Sequence, residues 1–498
     1  MSNKKLINYG VIGYVIGSLL LINGFLMALP LGFSIYHEDG MTSSFLISSG
    51  ITLFVGLCLR FFLRKFKEAE IKRREGFLIV TVSWVTMTLF GTLPYVISES
   101  IPNFSNAFFE TMSGFSTTGA SILNNIEEMP HSILFWRSMT QWIGGMGIIV
   151  LTIAVLPLLG IGGMELFVNE APGPTKDKIH PRIKETAKRL WIIYLFLTLS
   201  EMIVLMFCGM SFFDAINHAL TTTSTGGFST KQTSIAHFNS PLIEAVIVIF
   251  MFIAGTNFTL IYFGFKGKIN KLWRNDEFKW YLFAVIGFIL LLTPAVYFDI
   301  TNTTNTTNSF SLLESFRYVS FQVVSIITTT GYASGIFTDW GVFATFIFFL
   351  LLFTGASAGS TSGGMKIVRI VILIKNGFLE FKRRIHPNAI VPVHLNGKAI
   401  GNKIIYNLLA FVFLYLLMFV TGSIIMAALP GVDLLTAISA VATSLGNVGP
   451  GISTVDPSQS FEHLPDTGKW VLSFLMLFGR LELFTVAVLF SPYFWRVN

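Results

Sequence analysis

Four short polar stretches recur in this otherwise apolar chain, and a glycine lies at the same place in each. They read STTGA at 116–120, STGGF at 224–228, TTTGY at 328–332 and GNVGP at 446–450. We call them glycine loops one to four. Their glycines, at positions 119, 227, 331 and 449, follow one another at intervals of 108, 104 and 118 residues. Such a near-constant period indicates one structural unit repeated four times.

The residue types in these loops are suited to holding a dehydrated cation. Glycine adopts left-handed backbone angles without a Cβ clash, so an extended loop can turn successive carbonyls toward one axis. A ring of carbonyl oxygens replaces the hydration shell of a potassium-sized ion. The loops contain no acidic residue, which argues against a calcium-type carboxylate ring. The candidate ligands are Thr117, Thr118, Gly119, Thr225, Gly226, Gly227, Thr329, Thr330, Gly331, Asn447, Val448 and Gly449.

Composition places these loops in a membrane protein. Of the 498 residues, 53% are hydrophobic and 12% are charged, whereas soluble domains carry about 25% charged residues. The two cysteines lie in apolar runs and the eight histidines show no ligand-like pairing, which predicts neither a disulfide framework nor a side-chain metal site. No nucleophile–base pair is apparent, so we expect no enzyme activity and no organic cofactor in this chain.

Basic residues are concentrated in alternate loops. The clusters run from Arg60 to Arg74, Lys176 to Arg189, Lys266 to Lys279 and Lys366 to Lys403. Cytoplasmic loops of membrane proteins carry an excess of lysine and arginine. We therefore expect these clusters, and both chain termini, on the cytoplasmic side, with the glycine loops on the opposite side. This placement accounts for the net charge of +7 without a nucleic-acid partner.

The hydrophobic segments predict an all-α integral membrane protein with about ten spanning helices. Two helices, near 6–33 and 44–64, form a leading hairpin. Each repeat then has a membrane helix, a helix too short to cross the bilayer, a glycine loop and a second, returning membrane helix. The return helices are expected at 133–158, 241–265, 341–375 and 469–492. The predicted units are a hairpin at 1–73 and repeats at 74–175, 176–275, 276–400 and 401–498.

Several longer motifs resemble a known family. They are FFETMSGFSTTGAS at 108–121, WIGGMGII at 142–149, EAPGP at 170–174, GGFST at 226–230, GASAGSTSGGMK at 355–366, NVGPG at 447–451 and GRLELF at 479–484. The chain resembles the Trk/Ktr/HKT potassium transporters, specifically the TrkH/TrkG branch, over nearly its whole length. The resemblance implies potassium-channel-like helix–pore-loop–helix units around one pore, in a multi-pass protein of the bacterial cytoplasmic membrane.

The same resemblance implies partners and a substrate. It implies a homodimer in contact with membrane lipid. It also implies a TrkA-type cytosolic subunit that binds ATP, ADP or NAD, since no cytoplasmic segment of this chain is long enough for a nucleotide-binding domain. In plant relatives, serine at the first filter glycine is associated with sodium preference, so Gly119 favours potassium as the permeant ion. The fourth loop departs from the threonine pattern with Asn447 and Val448, so we expect binding there to be asymmetric.

A run of small residues interrupts the return helix of repeat three. Glycine disfavours helix by about 1 kcal/mol relative to alanine, so this small-residue segment should break the helix. The family implies a mobile intramembrane gate here, and we favour this interpretation over a tightly packed helix crossing. The gate residues are Gly355, Ala356, Ser357, Ala358, Gly359, Ser360, Thr361, Ser362, Gly363 and Gly364, joined by Arg480 of the last helix.

The buried position expected for Arg480 makes it a functional candidate, because an intramembrane charge is costly. The resemblance places it in the pore beside the small-residue segment. Residues two apart on a helix do not share a face, so an ion pair between Arg480 and Glu482 is not expected.

The main alternative is an alternating-access cation symporter, coupled to sodium or protons, with broken helices at its midplane. Inverted repeats would place equivalent loops on opposite sides of the membrane, whereas all four glycine loops here fall on one side. The sequence leaves open whether ions pass passively or in symport.

Overall fold

Helices make up nearly all the regular structure of the chain. The computed structural model describes residues 7–69, 71–150, 179–303 and 311–496. The end of the return helix predicted at 133–158, the motif at 170–174 and the unit boundary predicted between 175 and 176 lie outside these residues.

The leading hairpin consists of three helical pieces, Tyr9–Met27, Pro30–His37 and Thr42–Phe62. Its two long helices pack closely at Gly17 and Gly56. A Cβ atom added at either glycine would lie 3.0 Å from the carbonyl oxygen of the other. Small residues at such a crossing allow helix backbones to pack closely within a membrane.

Four repeats follow, each with the predicted order of elements. The first helices are Arg73–Gly91 with Leu93–Ile97, Ile179–Phe207, Asp276–Thr303 and Asn402–Ala427. The half-helices are Phe104–Phe115, Phe212–Thr223, Leu312–Ile327 and Leu434–Gly446. The return helices are His131–Val150, Pro241–Ala254 with Phe258–Phe265, Val342–Leu351 with Ile367–Ile385, and Asp466–Arg480 with Leu483–Ala487.

The remaining elements are short. Two helices, Asn270–Arg274 and Pro492–Trp495, lie outside the repeats' main helices. Strands Thr354–Gly355 and Met365–Lys366 pair in parallel at the ends of the small-residue segment. Strands Val393–Leu395 and Lys398–Ile400 form an antiparallel hairpin in the segment that joins repeats three and four.

Each half-helix begins at a side-chain cap. The cap residues are Asn103, Ser211, Ser311 and Asp433, and each accepts a hydrogen bond from a backbone N–H of the first turn. These hydrogen bonds satisfy donors that have no partner within the helix. The half-helices have 12, 12, 16 and 13 residues. At about 1.5 Å per residue none can cross a hydrocarbon core about 30 Å thick.

Two return helices are broken where continuous helices were predicted. The prediction of one helix at 241–265 is wrong, because the chain bends by 106° between Ala254 and Phe258. Asn257 caps the second part by accepting a hydrogen bond from the Thr259 N–H. The prediction of one helix at 469–492 is also wrong. There the chain bends by 114° after Arg480, where Glu482 has a left-handed φ of 65°.

The membrane architecture agrees with the predicted fold class. Six described helices are long and apolar enough to span a bilayer, and the two bent pairs bring the number to eight. The other two predicted spans are His131–Val150, which ends at the edge of the described residues, and the return helix of repeat three. That helix breaks at the small-residue segment, as the glycine content predicts. The chain is an all-α membrane protein with four repeats.

Candidate functional site

The four glycine loops share one backbone conformation at the ends of their half-helices. In each repeat, two successive backbone N–H groups turn back to the carbonyls of the last helical turn. In repeat one, the Thr117 and Thr118 N–H groups donate to the Gly114 and Ser113 carbonyls, each at 2.9 Å. The matching donors are Thr225 and Gly226, Thr329 and Thr330, and Asn447 and Val448. This pattern ends a helix and turns the chain away from the helix axis.

The turn requires a left-handed residue that is not glycine. The φ angles are 51° at Thr117, 52° at Thr225, 57° at Thr329 and 54° at Asn447. Left-handed φ costs roughly 1–2 kcal/mol for an L-residue, and it is especially rare for β-branched residues. Strain of this kind persists only where the surroundings hold it, and it concentrates at functional sites. Asparagine tolerates the left-handed region well, so the fourth loop keeps the shared backbone despite its different sequence.

The four glycines form a closed ring. Each has positive φ, from 78° at Gly227 to 104° at Gly449. A Cβ atom added to any of them would meet the carbonyl oxygen of the residue that precedes the glycine in the next repeat. The contacts run from Gly119 to Gly226, Gly227 to Thr330, Gly331 to Val448 and Gly449 to Thr118. The fourth repeat therefore contacts the first, and the repeats surround one axis in chain order.

A cavity opens directly above this ring. All four ring glycines line it. Its wall carries charges of both signs, including Arg137, Lys231 and Asp456. The ring is thus accessible from one side through a polar vestibule.

Side chains from neighbouring repeats fix the loops. Gln141, in the return helix of repeat one, donates to the Gly226 carbonyl at 2.6 Å and accepts from the Phe228 N–H at 3.0 Å. The Asn447 amide donates to the Thr118 hydroxyl at 3.0 Å and to the Met476 carbonyl at 2.9 Å. Gln141 was not predicted as a site residue, because a side chain that supports a loop in another repeat has no recognisable motif or spacing in the sequence.

A buried ion pair was also missed. Glu110 and Arg137 lie behind loops one and two, and their side chains are almost completely buried. One sequence signal could have indicated it, since Arg137 is among the few basic residues outside the predicted cytoplasmic clusters.

The small-residue segment lies against the opposite face of the ring. The Gly363 N–H donates to the Thr329 hydroxyl at 2.6 Å. A Cβ atom at Gly363 would lie 2.7 Å from the Gly446 carbonyl oxygen and from the Asn447 Cβ. Glycine is required here because the segment passes between loops three and four at van der Waals distance. Most of its residues, from Gly355 to Gly364, are buried, with Ala358 and Gly364 half-buried.

The bend of repeat two holds one side of this segment. The Ser357 N–H donates to the Gly255 carbonyl at 3.0 Å, and the Phe258 N–H donates to the Gly359 carbonyl at 3.1 Å. The Asn257 amide donates to the Ala358 carbonyl at 2.7 Å. The bend between Ala254 and Phe258, which was not predicted, therefore anchors the small-residue segment, which was.

Charged residues hold the segment from other directions. The Ala358 N–H donates to the Glu277 carboxylate at 2.6 Å. Arg480 donates through Nη1 to the Thr361 carbonyl at 2.7 Å and through Nη2 to the Gly144 carbonyl at 3.4 Å. Arg480 thus contacts the predicted segment, and Glu482 pairs with Arg369 instead of with Arg480.

The predicted site residues are therefore brought together in two layers. The twelve loop residues surround one axis, and the small-residue segment with Arg480 lies immediately on one side of them. Among the described residues no group of three or more His, Cys, Asp or Glu could hold a metal ion. Backbone carbonyls and hydroxyls are the oxygen donors that the ring offers.

Comparison with known proteins identifies the family of the chain. A family model described as "TrkH: Cation transport protein" matches residues 42–496. The chain belongs to the TrkH family of cation transport proteins. It is 40% identical over 493 residues to the Trk system potassium uptake protein TrkH of Escherichia coli (strain K12), covering 98% of this chain and 100% of that protein.

Two further relatives place the chain within the TrkH family. It is 33% identical over 489 residues to the Trk system potassium uptake protein TrkG of the same strain, covering 98% of each chain. The crystal structure of the potassium transporter TrkH from Vibrio parahaemolyticus superposes with a TM-score of 0.89 at 37% identity. That alignment covers 98% of this chain and 100% of the other. The TrkH-family resemblance predicted from the sequence motifs is confirmed.

Proposed function

We propose that this chain takes up potassium ions through one central pore, with the ring of glycine loops as its selectivity filter. The closed ring carries the proposal, because four equivalent loops in carbonyl-to-glycine contact can surround a single ion. Its relatives are named as potassium uptake proteins. Ions enter from the vestibule and exchange water for the carbonyl and hydroxyl oxygens of the loops. The partially negative C-terminal ends of the half-helices favour a cation there.

The small-residue segment from Gly355 to Gly364 is the gate in this proposal. It lies directly against the ring and is held by hydrogen bonds from three repeats. An ion leaving the filter must displace it. Arg480 contributes both a positive charge below the ring and a direct bond to the segment, so it sets the barrier to permeation.

Orientation and partners follow from the charge pattern and the family. The vestibule faces outside and the basic loops face the cytoplasm of a bacterial inner membrane, with both termini inside. The working unit is a homodimer in contact with lipid. A TrkA-type cytosolic subunit supplies regulation by ATP, ADP or NAD and acts on the gate.

Potassium uptake in a cell that lacks its own potassium transporters tests the proposal. Expression of the chain with its cytosolic partner should restore growth at low potassium and uptake of rubidium. Gly119→Ser and Gly227→Ser should abolish the rescue at equal membrane abundance, because each added side chain overlaps a carbonyl of the next loop. Rescue that survives both substitutions, or no rescue at any potassium concentration, would overturn the proposal.

Purified protein in liposomes separates a gated pore from a coupled symporter. A pore gives potassium currents that reverse at the potassium equilibrium potential, with or without a sodium or proton gradient. A symporter shifts that reversal potential when the sodium or proton gradient changes. Recording with the cytosolic subunit and each nucleotide in turn then identifies the ligand that opens the gate.

A further inference from the structure

A buried carboxylate lies behind the first glycine loop. Glu110 is in the half-helix of repeat one, nine residues before Gly119, and its side chain is fully buried. One oxygen accepts from the Ser121 hydroxyl at 3.0 Å, and the other accepts from the Ile122 N–H at 2.9 Å. Glu110 therefore holds the segment that leaves loop one on the vestibule side.

Its ion-pair partner extends the contact to loop two. Arg137 Nε lies 2.5 Å from the Glu110 carboxylate, and Arg137 Nη1 donates to the Ser229 carbonyl at 2.9 Å. The guanidinium lies 3.6 Å from the centroid of the Phe228 ring. Ser121 and Ser229 each follow their ring glycine by two residues. The pair thus joins equivalent points of loops one and two.

Among the residues that the structure describes, no ion pair of this kind joins glycine loops three and four. The positions that correspond to Glu110 in repeats two, three and four are His218, Gln322 and Ala440. His218 donates or accepts a hydrogen bond with the Ser229 hydroxyl at 3.0 Å, which supports loop two from its own repeat. The buried Gln322 amide has no hydrogen-bond partner among the described residues, and Ala440 has no polar side chain. The ion pair therefore braces only one half of the ring.

A buried and fully hydrogen-bonded ion pair can hold the backbone around it rigidly. A buried ion pair holds its geometry when further hydrogen bonds satisfy both partners, as Ser121, Ile122 and Ser229 do here. Removal of one partner leaves the other charge unpaired in a low-dielectric interior, so the surrounding backbone must move. A binding site keeps its specificity only while its ligands stay within about 0.5 Å of the productive geometry.

We propose that the Glu110–Arg137 pair is a positioning element that sets potassium over sodium selectivity, by holding glycine loops one and two at a fixed separation. The inference rests on the proposed potassium filter. Neither side chain needs to contact the ion. The pair acts through Ser121, Ile122 and Ser229 on the carbonyls of the ring.

Ion uptake by the purified full-length chain in liposomes tests this role. Potassium, rubidium and sodium uptake are measured for the wild type, Glu110→Gln, Arg137→Gln and the double variant. The potassium-to-sodium ratio should fall by about tenfold in each single variant, which is less than the 10²-fold that a misplacement of about 1 Å can cost at a preorganised site. The double variant should recover part of the ratio, because it leaves no unpaired buried charge.

Glu244→Gln provides the matched control. Glu244 forms a salt bridge with Arg317 at 3.2 Å, outside the predicted cytoplasmic clusters, and among the described residues no hydrogen bond joins its carboxylate to a glycine loop. This variant should keep the wild-type ratio. Arg137→Lys should lie between wild type and Arg137→Gln, since lysine keeps the charge but cannot bond Glu110 and Ser229 in the geometry of the guanidinium fork.

Thermal unfolding gives a second readout for a variant that accumulates poorly. An ion that binds the folded protein raises its melting temperature, so potassium should protect the wild type more than sodium does. Glu110→Gln, which preserves side-chain size, should abolish that difference. A retained difference would contradict the proposal.

The outcomes separate this inference from the proposed function. Absence of selective potassium uptake by the wild type would overturn the filter itself, whatever the variants do. Selective wild-type uptake with an unchanged ratio in Glu110→Gln and Arg137→Gln would overturn only the positioning role. A higher potassium rate with an unchanged ratio in Arg137→Gln would instead assign Arg137 an electrostatic role in the vestibule that it lines.

Discussion

The ring of glycine loops is alike in all four repeats, whereas the layer directly beneath it, formed by the return helices, differs from repeat to repeat. In the ring, all four repeats have a left-handed residue two positions before the glycine, an equivalent pair of backbone hydrogen bonds and an equivalent glycine contact. In the layer beneath, the return helices diverge. Repeat one continues as a helix to Val150, repeats two and four bend by 106° and 114°, and repeat three opens into the small-residue segment.

This difference matches two physical requirements. A dehydrated ion needs oxygen ligands at similar distances all around it, so the loops that supply them must be alike. A gate needs an element with two arrangements. In the proposed function the small-residue segment of repeat three is that element, and the return helices of the other three repeats stay fixed. Symmetry is retained where an ion would be bound, and it is lost where one segment would move.

The strongest test of the ring is Gly227→Ala. The new Cβ would overlap the Thr330 carbonyl oxygen and force loops two and three apart. We expect potassium uptake to fall by at least about 10²-fold, as for a misplacement of about 1 Å at a preorganised site. Uptake by cells at matched membrane abundance measures the effect.

Gly431→Ala is the control for backbone strain. Its φ of 79° matches the 78° of Gly227, but nothing lies within 4 Å of an added Cβ. Both variants carry the conformational cost of a left-handed alanine, about 1–2 kcal/mol. Equal loss of uptake in the two variants would show that strain, and not the ring contact, causes the defect.

Arg480→Ala tests the layer beneath the ring. It removes the bond to the Thr361 carbonyl and a positive charge from the proposed path of the ion. A hydrogen bond from a charged group contributes roughly 1.5–3 kcal/mol, so uptake without the cytosolic subunit should rise by at least about tenfold. Liposome flux of the chain alone measures this rise.

A second buried cation on the same helix serves as the comparison for Arg480. Lys469 is buried and bonds to Asn106 at 2.7 Å, away from the small-residue segment. Lys469→Ala should leave the gated flux unchanged. Unchanged flux and gating in Arg480→Ala would remove Arg480 from the gate.

The sequence was sufficient to predict the ring because its determinants are local and repeated. A threonine or asparagine two residues before a glycine, after a short helix, specifies the turn in each loop. The break at 355–364 was likewise predictable from its glycine content. Even the divergent fourth loop was located correctly by its spacing from the third.

The missed features depend on contacts between distant parts of the chain. Gly255 and Asn257 lie in an apolar run that reads as one continuous helix, and only the small-residue segment packed against them explains the bend. Glu110 and Arg137 are 27 residues apart on different helices. Neither a helical period nor a short motif indicates such pairs, so tertiary structure was needed to find them.

Asn257→Ala has the smallest expected effect and tests whether the bend of repeat two restrains the gate. It removes the 2.7 Å hydrogen bond to the Ala358 carbonyl and the cap at Thr259. One hydrogen bond contributes about 1 kcal/mol, which corresponds to a shift of about fivefold in the gate equilibrium. Basal flux should therefore rise less than in Arg480→Ala.

Thr256→Val is the neighbouring control, since the one hydrogen bond described for the Thr256 hydroxyl goes to the Phe252 carbonyl of its own helix. If both variants raise flux equally, the bend acts through helix stability. If only Asn257→Ala raises flux, the bend of repeat two restrains the gate through the Asn257 side chain.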